Sequence, residues 1–283
     1  MHPLVSTEWL AARLADPDLR VVDVRWYLDP SRRGRDAYAA GHIPGALFLD
    51  VEADLSAPGG ARGGPRGRHP WPPEEQVARV MGAAGIDAGT TVVAYDDLSG
   101  ATAARLWYLL RAHGHERAAV LDGGIRKWTA EGRPLDTAVP PVEPRVFAAR
   151  LEPGFLVPKA ELAAAHRERL VLDARAPERY RGETEPIDPR AGPLPGARNA
   201  FFAGNLTSGG VPVFRAPEEL RARYAALGAQ ERVPVVYCGS GVTACHDLLA
   251  LHLAGLRGQL YPGSWSEWSS DPGLPLETGE AEG

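Results

Sequence analysis

The chain is written twice, and that repetition constrains its fold more than any other feature. Val21-Val22-Asp23-Val24-Arg25 returns as Val171-Leu172-Asp173-Ala174-Arg175, and Gly41-His42-Ile43-Pro44-Gly45-Ala46 returns as Gly192-Pro193-Leu194-Pro195-Gly196-Ala197. Thr91-Val92-Val93-Ala94-Tyr95 is answered by Pro234-Val235-Val236-Tyr237. Leu121-Asp122-Gly123-Gly124 with Trp128 is answered by Tyr261-Pro262-Gly263-Ser264 with Trp268. Matches in one unbroken order mean two copies of one structural unit. The length of 283 residues suits two domains.

Each copy alternates short β-branched runs with helical patterns. In the first, Ser6 or Thr7 caps a helix toward Leu14, and Val21–Val24, Val92–Tyr95 and Ala118–Leu121 read as strands. A helix through Leu106, Leu109 and Leu110 follows the second of them. In the second copy Pro158 opens a helix through Leu162 to His166. Leu170–Asp173 and Val233–Tyr237 are strands, and Leu248, Leu249, Leu251 and Leu253 line a helix ending near Gly255. This alternation predicts an α/β fold, with a parallel sheet in each domain flanked by helices on both faces. The expected division is a first domain over 1–136, a Pro-rich linker over 137–154 and a second domain over 155–283. The tail after Pro275 is acidic and Gly-rich, the composition of a frayed end.

The chemistry concentrates in Val233 to Leu249, which reads as a buried strand, then Cys238, then a tight loop, then a helix. Gly239, Ser240, Gly241, Val242 and Thr243 form that loop. Its glycines let successive backbone N–H groups turn toward one point at a helix N-terminus, a geometry that can hold a thiolate or a persulfide anion without a positive side chain. Ser240 and Thr243 add hydroxyl donors. Cys245 falls inside the following helix, beyond the loop donors, and His246 reads as a helix-surface or packing residue. Aligning Thr102 with Thr243 sets Asp97 opposite Cys238, so the first copy is expected to keep the scaffold without the nucleophile, and a site between active and inactive copies is expected.

The bulk numbers agree with an ordinary globular protein. Hydrophobic residues make up 44% and charged residues 24%, with a net charge of −5. Such a balance argues against a dedicated nucleic-acid partner. Arg62, Arg66 and Arg68 lie in a Gly/Pro-rich loop and read as solvated. Two cysteines seven residues apart make no disulfide framework and suit a reduced, cytoplasmic setting. The N-terminus lacks a signal-peptide pattern, and no apolar run reaches the ~18 residues of a membrane span.

On these residues the chain resembles the two-domain rhodanese-fold sulfurtransferases, which include thiosulfate and 3-mercaptopyruvate sulfurtransferases. The carriers are Val22 to Tyr27, Gly41 to Ala46, Asp122-Gly123-Gly124, Arg179-Tyr180-Arg181-Gly182, Cys238 to Ala244 and Gly263 to Trp268. The resemblance implies that Cys238 takes a sulfane sulfur from the donor, becomes a persulfide, and passes the sulfur to a thiol (a thioredoxin-like protein among the options) or to cyanide, with no metal or organic cofactor. It implies that Arg179 and Arg190 hold the donor's anionic end, with Arg181 as a substitute for the latter. The neutral Gly239-Ser240-Gly241 is similar to the mercaptopyruvate type, in which Ser240 and His42 would fill the first two places of a serine–histidine–aspartate relay, with Asp29 or Asp36 as the third. Thiosulfate stays open as donor. Two departures are Pro193, where the family has histidine, and Pro262, where it has aspartate.

Two other readings compete. A cysteine phosphatase loop of the form Cys-x5-Arg would need arginine at Ala244, so its charge clamp is missing. A binding or regulatory module without turnover would suit the first copy alone, but not the Cys238 loop.

Overall fold

The computed structural model describes residues 1–277. The expectation for the acidic tail therefore falls largely outside the described residues. Within them, Gly196 N–H donates to the Glu277 carboxylate at 2.9 Å, so the segment just past Pro275 is fastened down.

The first unit contains β1 (Leu4–Val5), α1 (Thr7–Ala11), β2 (Leu19–Asp23), α2 (Gly34–Ala40), β3 (Leu47–Phe48), α3 (Glu74–Ala83), β4 (Thr91–Tyr95), α4 (Ala103–Ala112), β5 (Ala118–Leu121) and α5 (Gly124–Ala130). Its five strands lie in the order β1-β5-β4-β2-β3, every pairing parallel. Ser6 caps α1 by accepting from Trp9 N–H at 3.1 Å, as the sequence predicts. Leu10, Ile43, Val93, Tyr95, Leu121 and Trp128 form the core on one face.

The second unit contains α6 (Lys159–Ala165), β6 (Val171–Asp173), α7 (Pro177–Tyr180), β7 (Arg198–Asn199), a 3₁₀ turn (Phe202–Asn205), α8 (Pro217–Ala226), β8 (Val235–Tyr237), α9 (Ala244–Leu253), β9 (Gln259–Leu260) and α10 (Ser264–Trp268). Its strands run β7-β6-β8-β9, again all parallel. The fold is the expected α/β architecture, a parallel sheet flanked by helices in each unit. Leu162, Val171, Val235, Tyr237, Tyr261, Trp265 and Trp268 form its core. Each such fully buried aromatic or aliphatic side chain is worth roughly 1.5–3 kcal/mol.

The repeat survives at the level of single hydrogen bonds. Arg25 grips Asp23 and the Gly41 carbonyl, as Arg175 grips Asp173 and the Gly192 carbonyl. Tyr38 donates to the Ala46 carbonyl and Tyr180 to that of Ala197. Trp128 and Trp268 donate Nε1–H to the carbonyls of Pro134 and Pro275, both at 2.7 Å. The motifs visible in the sequence are thus buried polar anchors that fix how loops cross the strand ends.

The compact units differ from the sequence division by two exchanged loops. Residues 58–71 count with the second unit and residues 208–214 with the first. The stretch read as a linker packs onto the first unit: Arg145 N–H donates to the Gly82 carbonyl, Glu152 N–H to that of Ala112, and Phe147 is buried. Its prolines stiffen a strap rather than a free connector.

Candidate active site

β8 delivers Cys238 to the end of the sheet, and Gly239 to Thr243 turn the chain into α9. Cys238 is only 2% exposed. Its Sγ accepts the Gly241 N–H at 3.1 Å. Gly241 has φ 77, and a Cβ there would come within 2.4 Å of the Pro262 carbonyl oxygen, so only glycine fits. The first turn of α10 clamps the loop from behind, because Trp265 N–H donates to the Cys238 carbonyl at 2.9 Å and Ser266 N–H to the Gly239 carbonyl at 2.8 Å. Val242 is buried, and Thr243 opens α9 without a side-chain cap bond.

The first unit carries the same loop with a different occupant. Tyr95 and Tyr237 end equivalent strands, and their hydroxyls accept from Ile43 N–H and Leu194 N–H. The next carbonyl, of Asp96 or Cys238, accepts from Ile125 or Trp265 N–H, at 2.9 Å in both cases. Asp96, not Asp97, therefore stands in the place that Cys238 has in the second unit; the first loop is one residue longer, which misleads an alignment anchored on the threonines. The Asp96 carboxylate accepts from Leu98, Gly100, Thr102 and Ala103 N–H at 2.7–2.9 Å. Asp97 instead accepts from the Tyr27 hydroxyl at 2.7 Å, and burial together with that bond pushes the Tyr27 phenol up to about 12. The strand-end loop thus holds a carboxylate by four backbone N–H groups in one copy and a thiol sulfur by one in the other.

The side chains around Cys238 correct several expectations. The imidazole beside Ser240 is that of His69, whose Nδ1 lies 2.7 Å from Ser240 Oγ. His42 belongs to the first unit, where it bonds the carbonyls of Tyr38 and Ala138 and stacks on the Tyr38 ring at 4.0 Å. Asp29 is exposed and turned to Ser31, and Asp36 is exposed on α2. Arg190 is spent on backbone: it donates to the carbonyls of Ser269, Leu274, Trp268 and Asp271 at 2.6–2.9 Å. Arg181 pairs with Glu183. Arg179 does reach the loop, with Nη1 3.4 Å from where a Cβ on Gly239 would lie. The second guanidinium there is Arg68, 2.7 Å from the same point.

Arg68 and His69 escape sequence reasoning because their partners lie 120 and 171 residues away, in a loop whose glycines and prolines suggest solvent. That reading suits Arg62 and Arg66, which are exposed. Arg68 instead forms a buried pair with Asp188. Burial pushes its guanidinium below the ordinary value, opposed by Asp188 and the Cys238 sulfur, while Arg179 adds to the fall. Burial likewise pushes the Asp188 carboxyl up, against the pull of Arg68. Cys245 is buried, its Sγ 3.4 Å from the Gly241 carbonyl oxygen. His246 packs edge-on against Phe202. Among the described residues no three His, Cys, Asp or Glu side chains converge as metal ligands. None of the described helices is long and apolar enough to cross a membrane.

Two parallel-sheet units, one with a carboxylate and one with a cysteine in the strand-end cradle, define a tandem rhodanese-like protein. The Rhodanese-like domain model matches residues 6–131 and again 159–271. The chain belongs to the two-domain rhodanese-fold family of sulfurtransferases and is an enzyme of that type. A probable 3-mercaptopyruvate sulfurtransferase of Pseudomonas aeruginosa is 46% identical over 283 residues, 98% of both chains. The thiosulfate sulfurtransferase of Bos taurus is 37% identical over 281 residues, 94% of this chain and 91% of that one. The crystal structure of SseA from Escherichia coli, a 3-mercaptopyruvate sulfotransferase, superposes with a TM-score of 0.81 at 30% identity, covering 94% of this chain and 99% of that one.

Proposed function

We propose that this sulfurtransferase works through a persulfide on Cys238. The observation that carries this reading is the Gly241 N–H on Cys238 Sγ, inside a loop whose twin already holds an anion by four amides. The Cys238 thiolate attacks the donor's outer sulfur. With 3-mercaptopyruvate the C–S bond breaks, its electron pair leaves as pyruvate enolate, and the thiol proton stays on the new persulfide. With thiosulfate the S–S bond breaks and sulfite leaves with the pair. An acceptor thiolate, of a small thiol or a thioredoxin-like protein, or cyanide then attacks the outer sulfur and restores the Cys238 thiolate. The outer sulfur of such a persulfide stands about 2.05 Å beyond Sγ.

Ser240 and His69 give the site a proton relay on the donor side. The 2.7 Å contact fixes the hydroxyl, so that Ser240 can donate to a donor carbonyl as charge develops on the enolate. A carbonyl gains from this relay and a sulfonate does not, which favours 3-mercaptopyruvate as the donor.

Incubating the protein with each donor and weighing it tests the reading. The expected result is a gain of one sulfur atom that is abolished by Cys238→Ser, with kcat/KM higher for 3-mercaptopyruvate. An unchanged mass with both donors overturns it.

A further inference from the structure

Beside the Cys238 loop three guanidinium groups meet three carboxylates. Arg175 uses its Nε/Nη2 edge to grip Asp173 at 2.7–3.1 Å, and Arg179 uses the same edge to grip Glu185 at 2.6–3.2 Å. Arg68 behaves differently. Its Nη1 pairs with Asp188 Oδ1, and Asp188 Oδ2 also faces Arg179 Nη2 at 3.3 Å. The Arg68 side chain is 9% exposed, yet its Nε has no acceptor among the described residues. The other end of that edge, Nη2, is the atom 2.7 Å from the Cβ position of Gly239. A buried bidentate fork is therefore left open beside the nucleophile's loop, and its shape matches a carboxylate.

Asp188 governs how much charge that fork tolerates. Its side chain is fully buried between Arg68 and Arg179. The six groups sum to zero formal charge, so one incoming anion brings them to −1 and a dianion to −2, each on top of the Cys238 thiolate that the proposed mechanism requires. The electrostatic cost of burying charge rises steeply with its magnitude. We infer that Arg68 is the second donor-holding arginine of this enzyme, and that Asp188, by balancing it, selects singly charged α-keto carboxylate donors over dianionic ones. The inference rests on the reading of Cys238 as the sulfur-accepting site.

Calorimetric binding of pyruvate, a single carboxylate, and of sulfate, a dianion, tests it without any need for turnover. Wild-type protein is expected to bind pyruvate at least tenfold more tightly than sulfate. Arg68→Lys, which keeps the charge but not the fork, is expected to lose pyruvate affinity at least tenfold. Asp188→Asn is expected to narrow the pyruvate-to-sulfate ratio at least tenfold, and the kcat/KM ratio of 3-mercaptopyruvate to thiosulfate in the same direction. Unchanged pyruvate binding in Arg68→Lys, or an unchanged ratio in Asp188→Asn, overturns the inference. Should Asp188→Asn fail to fold, the wild-type ratio and Arg68→Lys decide. Sulfur loading of the wild type is scored separately: its absence sinks the persulfide reading, whereas the binding data alone sink this one.

Discussion

The backbone N–H of Cys238 donates to Ser264 Oγ at 3.2 Å, and Ser264 makes that bond from a left-handed backbone with φ 53. Its counterpart in the first unit is Gly124, at φ 57. A left-handed residue with a Cβ costs about 1–2 kcal/mol. The second unit accepts this strain where the first avoids it, and gains a hydroxyl that ties the Cys238 amide to the Tyr261 carbonyl, to which Ser264 donates at 3.0 Å.

Two substitutions separate strain from hydrogen bonding at this position. Ser264→Ala keeps the strained backbone and leaves the buried Cys238 N–H without its acceptor, a loss of about 1–3 kcal/mol. Ser264→Gly loses the same bond but releases the strain. Urea denaturation should therefore rank both wild type and Gly above Ala, and the wild-type-to-Gly difference reads the bond against the strain. An alanine variant as stable as wild type would show that the bond contributes nothing.

Asp96 is expected to be a structural anion. Asp96→Ala removes the acceptor for four backbone N–H groups and should cost at least about 2 kcal/mol by chemical denaturation. The folded fraction should still load sulfur on Cys238. A variant with unaltered stability would contradict the view that the first loop is a filled cradle.

Arg190→Ala should act on the C-terminal segment. Losing four bonds to the carbonyls of Trp268, Ser269, Asp271 and Leu274 should lower the melting temperature and speed amide exchange across 268–274. Arg179→Ala should instead raise the donor KM, since its Nη1 lies against Gly239. If Arg190→Ala raised the donor KM without any change in exchange, the assignment of the two roles would be reversed.

Asp247, on α9, predicts a stability trend with pH. Burial pushes its carboxyl up to about 7, opposed by a 2.7 Å bond from Asn205 and by Arg223 and Tyr224, with Asp173 adding to the rise. Between the unfolded pKa of about 3.9 and the folded one, the native state holds a proton that the unfolded state has released. Its contribution is thus greatest below pH 4 and is lost as pH rises toward 7, a span of up to a few kcal/mol at roughly 1.4 kcal/mol per unit. Asp247→Asn should flatten that slope across pH 4–7 in denaturation experiments. An identical slope in both proteins would place the titration elsewhere.

The parallel α/β fold, the duplication and the strand–loop–helix turn that carries Cys238 were legible in the sequence because each rests on local information. Strand and helix periodicities are read over a few residues, and the Gly239-Ser240-Gly241 turn announces itself by composition. The Asp23–Arg25 and Asp173–Arg175 anchors recur as written motifs. The sequence points one residue past the occupant of the first cradle, since an inserted residue shifts an alignment without altering the strand end that defines the position.

What the sequence determined by itself was a repeated α/β unit with one cysteine placed at the turn from a buried strand into a helix. Tertiary structure alone decided what surrounds that cysteine. Nothing near Arg68 or His69 in the chain signals a site, and folding carries their loop to Asp188 and Ser240. Arg190, which the family resemblance implied would hold the donor, is drawn away by four backbone carbonyls. Local pattern sets where the chain turns. Charge pairing and desolvation across more than a hundred residues select which side chains meet there, and that selection exists only once the chain has folded.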